Sequence, residues 1–345
     1  MTALVNLIVT LGMLYVVPAG LRLIDPVRFG RTARLWPLFA APGAVCLWLP
    51  RGAPATALAA LYAVATLALA VRAAAPAVRA LSARNPTRRD PAGGTPGRVP
   101  GPAEVAAEVA VLTALVAPSV AGTALVAERA GYRLFGFDLD ILALTVPHFH
   151  FAGFAAALVA GLVCRASAAG ALARWAAYSV PAGTALVLIG YFIDDWAELA
   201  GAVTLTGGMW AVALLTWRDV RPGAAVRDRI TGALLATSAA VLVATMLLAL
   251  WWALGEATGI VHPTLTWMAA THGLGNALGF GLCSLLAWRR LTTSHPGPPA
   301  GVAPAAPASP AAPAPPAPPA PPATLPPPAT LPASDALPDR TEIPA

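Results

Sequence analysis

Apolar runs of about twenty residues, separated by short polar or proline-containing breaks, follow one another from the first residue to about residue 290. An α-helix of about twenty apolar residues spans a hydrocarbon core of roughly 30 Å, so each run predicts a membrane-spanning helix. Nine spans are predicted, at approximately 2–21, 35–50, 53–71, 104–127, 141–164, 172–192, 196–217, 231–254 and 264–288. The second is the weakest, because it is short and contains internal prolines. The expected fold class is an all-α, polytopic transmembrane helix bundle.

The arginines predict how such a bundle is oriented. All 22 basic residues are arginines, and with nine spans only Arg51, Arg129 and Arg133 fall on one side of the membrane. The others fall on the side that carries the C-terminus. Because cytoplasmic loops carry an excess of basic residues, the expected topology has the N-terminus outside and the C-terminus inside. Removing the weak second span would place the first two basic clusters on opposite faces, which favours keeping it.

Composition agrees with a membrane location. The chain is 57% hydrophobic and only 11% charged, which is too little charge to cover the surface of a soluble domain of 345 residues. The net charge of +6 therefore indicates orientation, and nucleic acid is not an expected partner. The expected surroundings are a lipid bilayer, crossed many times, and the expected ligand is a small molecule or an ion.

Two segments are predicted to lie outside the membrane. A transmembrane domain at 1–291 contains an Arg-, Pro- and Gly-rich cytoplasmic loop at 75–103, and a tail follows at 292–345. The tail contains the stretch "APAPPAPPAPPATLPPPATLP", whose composition cannot form a packed core and predicts a disordered cytoplasmic segment of polyproline II character. The tail could contact a partner protein, or it could be a linker of little consequence.

Histidines lie inside two of the predicted spans. Residues 144–154 read "LTVPHFHFAGF", and residues 271–281 read "THGLGNALGFG". At a rise of about 1.5 Å per residue, His148, His150 and His272 all lie roughly 10–14 Å from the outer ends of their helices. In a regular helix His148 and His150 point about 200° apart. A distortion at Pro147 could instead turn both rings toward one cavity, and the sequence leaves the two arrangements open.

Several polar residues accompany these histidines on the same predicted side of the membrane. His272, Gly275, Asn276 and Gly279 share one helix face, and the two glycines form a GxxxG pair that predicts a closely packed helix seam. The predicted substrate- or ion-binding residues are His148, His150, His272, Asn276, Asp194, Asp195, Glu198 and Glu256. Intramembrane ionisable residues are rare and usually mark functional sites, although interhelical hydrogen bonding alone would also explain the histidines.

The two histidine motifs, together with the polytopic layout, resemble the YndJ-like family of bacterial multi-pass membrane proteins. The resemblance covers roughly residues 1–291. It implies that His148, His150, His272 and Asn276 belong to the pattern that defines the family. It implies a location in the bacterial cell (plasma) membrane and no particular activity.

Three functions are compatible with the sequence. The preferred one is a transporter or permease whose outer-leaflet histidines and acids bind a substrate, an ion or a proton. The second is a membrane enzyme that depends on a transition metal ion or haem, with His148, His150 and His272 as ligands. The third is a non-catalytic scaffold or sensor that uses the tail. The sequence has no Walker A loop, dinucleotide-binding fingerprint or nucleophile elbow in a suitable setting, so ATP-driven transport would need a separate partner.

Overall fold

A computed structural model describes residues 2–83, 100–168 and 170–293. Within these residues all regular structure is helical and no strand occurs. The helices are α1 (Ala3–Ile24), α2 (Pro26–Leu35), α3 (Pro37–Cys46), α4 (Ala53–Ala83), α5 (Pro102–Arg129), α6 (Leu139–Ala166), α7 (Ala171–Gly190), α8 (Asp195–Arg227), α9 (Arg229–Thr258) and α10 (265–293). A single 3₁₀ turn, Leu134–Gly136, lies between α5 and α6.

Seven of these helices, in the described part of the chain, are long and apolar enough to cross a membrane: α1 and α4 to α9. The prediction of an all-α, polytopic membrane protein is therefore confirmed. The second predicted span corresponds to α3, a shorter apolar helix of ten residues. The ninth corresponds to α10, whose histidine, asparagine and glycines make it less apolar than the other long helices. The count of nine spans and the N-outside, C-inside orientation remain predictions.

The segments predicted outside the membrane are described only at their edges. Helix α4 continues to Ala83, so the first residues of the predicted 75–103 loop are helical, and α5 begins at Pro102. Helix α10 likewise extends to Thr293, two residues into the predicted 292–345 tail. The rest of that loop up to residue 99, and the tail from residue 294, lie outside the described residues.

Side-chain caps fix where four helices begin. Asp25, Asp194, Asp228 and Thr264 precede α2, α8, α9 and α10, and each accepts a hydrogen bond from a backbone N–H of the first turn at 2.8 to 3.3 Å. Such caps satisfy N–H groups that the helix itself leaves unpaired. The sequence positions of these polar residues therefore determine the connections between the spans.

Helix α6 lies at the centre of the bundle. Every residue from Gly153 to Cys164 is buried. Glycines of neighbouring helices allow close approach: a Cβ added at Gly20 of α1 would lie 2.5 Å from the Phe154 ring, and one at Gly281 of α10 would lie 2.9 Å from Phe151. The central helix is therefore held by tight contacts between small and aromatic residues.

The helices α1, α6 and α10 change from α to π hydrogen bonding where they meet. The π-helical segments are Gly12–Val16, Phe149–Ala155, Ala269–Gly273 and Gly275–Leu282. The segments in α1 and α6 pack against each other and against the one that begins at Gly275. Because π turns are uncommon and often occur at functional sites, this junction marks a candidate site.

Candidate functional site

A cavity of about 540 Å³ lies inside the bundle, beside the π-helical junction. Its wall is formed by residues of α1 and α5 to α10 and by the connection between α5 and α6. Most of the wall is apolar or aromatic, with a few polar groups, as in many small-molecule sites. The cavity lies at the end of the bundle that carries the connections at 130–138, 191–194 and 259–264, which is the predicted outer end.

His148 lies on the cavity wall with an available imidazole. It is the last residue of the first α-helical part of α6, directly before the π-helical segment. Its ring packs at a steep angle against the ring of Phe149, with 5.7 Å between centroids. The His148 ring makes no hydrogen bond to any residue that the structure describes. A bound molecule could therefore pair with either ring nitrogen.

His272, in contrast, is held by neighbouring side chains and backbone. Its Nδ1–H donates to the Thr245 carbonyl of α9 at 2.8 Å, and its Nε2 accepts from the Asn276 amide at 3.1 Å. The Thr245 hydroxyl donates to the Asn276 carbonyl oxygen at 2.8 Å, which closes the network. His272 and Asn276 both line the cavity, and His272 lies close enough to His148 for a charge on one ring to act on the other. This wall can offer one remaining amide N–H of Asn276 and the free ring of His148.

His150 faces a different part of the bundle. It is fully buried, its Nδ1–H donates to the Val146 carbonyl at 2.7 Å, and its Nε2 accepts from the Tyr62 hydroxyl at 2.5 Å. Gly12 of α1 packs directly on its side chain. Because α6 remains helical through Pro147, the two histidines point to different neighbours, and His150 does not line the cavity. Of the two arrangements left open by the sequence, the structure shows the one with separate environments.

The three histidines therefore do not form a common ligand set. Among the residues that the structure describes, no three His, Cys, Asp or Glu side chains come together in a way that could hold a metal ion. His150 is separated from His148 and His272, and both ring nitrogens of His272 are already hydrogen-bonded. The predicted metal ligands His148, His150 and His272 are thus not brought together.

The four predicted acidic residues have different roles. Glu198 lines the cavity, whereas Asp194 caps α8 and Asp195 is exposed beside it. Glu256 pairs with His262 across 3.1 Å, outside the cavity wall. The carboxylates of Asp195 and Glu256 still lie close enough to Glu198 for their charges to interact. Asp195, Glu198 and Glu256 thus form a cluster of carboxyl groups, of which only Glu198 reaches the cavity.

Tyr191 lies next to this cluster, in the connection between α7 and α8, and also lines the cavity. Partial burial, together with the neighbouring carboxylates of Glu198 and Glu256, raises the pKa of Tyr191 well above its usual value. Its hydroxyl therefore remains protonated and able to donate a hydrogen bond to Glu198 or to a bound molecule.

Four residues of this region are not predicted by the sequence: Tyr62, Thr245, Tyr191 and His262. Tyr62 and Thr245 are isolated polar groups in apolar runs, and their partners lie 88 and 27 to 31 residues away in the chain. No local spacing could indicate these pairs. The structure places His262 against Glu256 and the Trp252 ring.

Comparison with known proteins identifies one family. The model of that family, described as YndJ-like protein, matches residues 7–280, a range that includes both histidines of the cavity wall. No curated protein and no protein of known structure gives a significant match.

Proposed function

The chain belongs to the YndJ-like protein family, and from that premise we propose that it is a permease of the bacterial plasma membrane that binds its substrate beside His148. One observation carries this proposal: an intramembrane histidine without a partner among the described residues lies on the wall of a cavity of about 540 Å³. Polar groups inside a membrane bundle normally pair with one another, so an available imidazole in a cavity favours a ligand.

The cavity wall indicates the class of substrate. Of the residues that line it, none is an arginine, and Glu198 is the only carboxylate. A phosphate or carboxylate ligand would therefore find no positive partner there. Aromatic and aliphatic side chains cover most of the wall, and hydrogen-bonding groups such as those of His148, Asn276 and Tyr191 are few. The substrate class that fits is an amphipathic molecule, neutral or cationic, with an apolar body and one hydrogen-bonding group.

The metal- or haem-dependent enzyme expected as an alternative has less support. His148 and His272 are the only histidines on the cavity wall in the described part of the chain, and both ring nitrogens of His272 take part in hydrogen bonds. A metal bound by His272 would have to break the contacts with Thr245 or Asn276. Transport requires no such rearrangement, because His148 is available as it stands.

Flux through proteoliposomes tests the proposal. Ethidium, a cationic amphipathic dye, and carboxyfluorescein, an anionic dye, are compared in vesicles with wild-type protein, His148→Gln and His262→Gln. We expect wild-type protein to accelerate entry of ethidium but not of carboxyfluorescein. His148→Gln should reduce that flux at least tenfold, because glutamine does not reproduce the position of the imidazole nitrogens. His262→Gln is the matched control, since His262 lies outside the cavity wall.

Two outcomes would contradict the proposal. One is an ethidium flux that is the same in His148→Gln and wild-type vesicles, with both proteins folded by circular dichroism. The other is the absence of protein-dependent ethidium flux together with protein-dependent entry of the anionic dye, because the wall offers no positive charge to an anion.

A further inference from the structure

Two arginines from different helices meet at the other end of the bundle from the cavity. The Arg28 Nη2 of α2 donates to the Arg72 carbonyl of α4 at 3.2 Å, and the Arg72 Nη2 donates to the Arg28 carbonyl at 3.0 Å. Arg72 Nη1 also donates to the Thr32 hydroxyl at 3.1 Å. These reciprocal bonds hold both guanidinium groups in fixed positions on the protein surface.

An aromatic ring supports both guanidinium groups. Their central carbons lie 4.9 Å (Arg28) and 5.7 Å (Arg72) from the centroid of the Phe29 ring, and Phe29 is only 1% exposed. Cation–π contacts of this kind orient a guanidinium without using its N–H donors. Each guanidinium has five N–H groups, so most donors of the pair remain available.

The pair lacks a negative partner among the described residues. No described carboxylate contacts Arg28 or Arg72, and Asp25, the acidic residue at the start of α2, accepts instead from two backbone N–H groups of that helix at 2.9 Å. Both guanidinium groups contact the same Phe29 ring, two like charges near each other repel, and a bound anion would offset the repulsion.

We propose that Arg28 and Arg72 form a binding site for the phosphate of an anionic lipid headgroup. Guanidinium forks match phosphate oxygens in geometry and charge. The position favours a lipid as the source of the phosphate: Arg72 lies near the end of the span Ala53–Ala75, and α2 follows α1 directly. Val27, beside Arg28, is 93% exposed and suits contact with acyl chains. Basic clusters next to membrane helices commonly bind anionic lipids.

Thermal unfolding of the full chain in detergent tests this site. Phosphatidylglycerol, phosphatidylcholine and inorganic phosphate are titrated into wild-type protein, the double variant Arg28→Gln/Arg72→Gln, and Arg34→Gln. Wild-type protein should be stabilised by phosphatidylglycerol, and not by the other two at equal concentration. The double variant should require roughly tenfold more phosphatidylglycerol for the same shift, since charge-assisted hydrogen bonds are lost. Arg34→Gln should respond as the wild type does.

The remaining outcomes each count against the proposal. An equal loss of response in Arg34→Gln would indicate diffuse attraction to basic charge without a site. A full response to inorganic phosphate would indicate a site for free anions instead of lipid. If the glutamine double variant does not fold, Arg28→Lys/Arg72→Lys keeps the charge and removes the forks; an undiminished lipid response of that variant would overturn the proposal.

Discussion

Because His148 and His150 have separate environments, the same substitution at the two positions should change the stability of the fold to different extents. His150→Gln and His148→Gln change residues two positions apart in one helix. His150 is fully buried and joined to the Val146 carbonyl and the Tyr62 hydroxyl, whereas the His148 ring borders a cavity and has no partner among the described residues. We therefore expect His150→Gln to destabilise the fold and His148→Gln to leave its stability nearly unchanged.

The magnitude follows from the two hydrogen bonds of His150. A buried polar group that loses its partner costs about 1–3 kcal/mol, and interhelical hydrogen bonds in membrane proteins contribute about 0.6 and up to about 1.7 kcal/mol. Losing both bonds in His150→Gln should therefore lower the free energy of unfolding by about 2–3 kcal/mol. Tyr62→Phe, which removes one bond and little volume, should lower it by about 1 kcal/mol. His148→Gln should stay within about 0.5 kcal/mol of wild type.

Equilibrium unfolding in mixed dodecyl maltoside and dodecyl sulfate micelles, followed by circular dichroism, measures these differences. The double variant Tyr62→Phe/His150→Gln completes a thermodynamic cycle, and a coupling energy of about 0.5 kcal/mol or more is expected because the two side chains share a bond. The reasoning would be refuted if His148→Gln destabilised the protein as much as His150→Gln, or if the cycle showed no coupling.

Three further predictions concern the helices around the cavity. Gly279→Leu should destabilise the fold by about 1–3 kcal/mol in the same unfolding assay, since a Cβ at Gly279 would already lie 2.6 Å from a valine of α9. Thr245→Val removes the hydroxyl bonded at 2.8 Å to the asparagine of α10 and should lower stability by about 1 kcal/mol, with unchanged secondary structure by circular dichroism. Hydrogen bonds from Thr231 and Arg290 lower the pKa of Asp228 from 3.8 to about 2, so its stabilising effect is present above the ordinary pKa and is lost as the pH falls toward 2. Asp228→Asn should therefore lower the unfolding temperature at neutral pH, and the difference from wild type should disappear near pH 2.

The pattern of apolar residues predicts most of the fold, because a lipid environment requires long apolar helices and few alternatives satisfy the backbone. It does not predict α2, which occupies residues between the first two spans. That helix is amphipathic: Phe29 and Ala33, four positions apart, are buried, while its arginines are exposed. A short basic segment has too few apolar residues to be distinguished from a loop by hydropathy. The spacing of its two buried residues, four positions apart, is the sequence feature that could have indicated a helix.

The sequence predicts the depth of the histidines better than their partners. Counting residues from the predicted helix ends places His148 and His272 at similar depth, and both line one cavity. Helix rotation is harder to predict, since it depends on whether Pro147 interrupts α6. Partners are harder to predict still: Tyr62 and His150 are 88 residues apart, and only the assembly of the whole bundle brings these two side chains together. The spacing of residues within one helix does not indicate which residue of a distant helix a side chain will contact.

The π-helical junction explains how a short stretch of α6 can place His148 at the cavity and His150 in the core. The π-helical segment of α6 begins at Phe149, directly after His148, and there α6 meets the π-helical segments of α1 and α10. Gly12 lets α1 approach the His150 ring, so that ring is enclosed on the side away from the cavity. The bonds of His150 then fix the position of the preceding turn, which carries His148. A cavity group whose position is fixed before the ligand arrives binds with less loss of conformational entropy. If His148 binds the substrate as proposed, weaker ligand binding in His150→Gln should accompany its loss of stability.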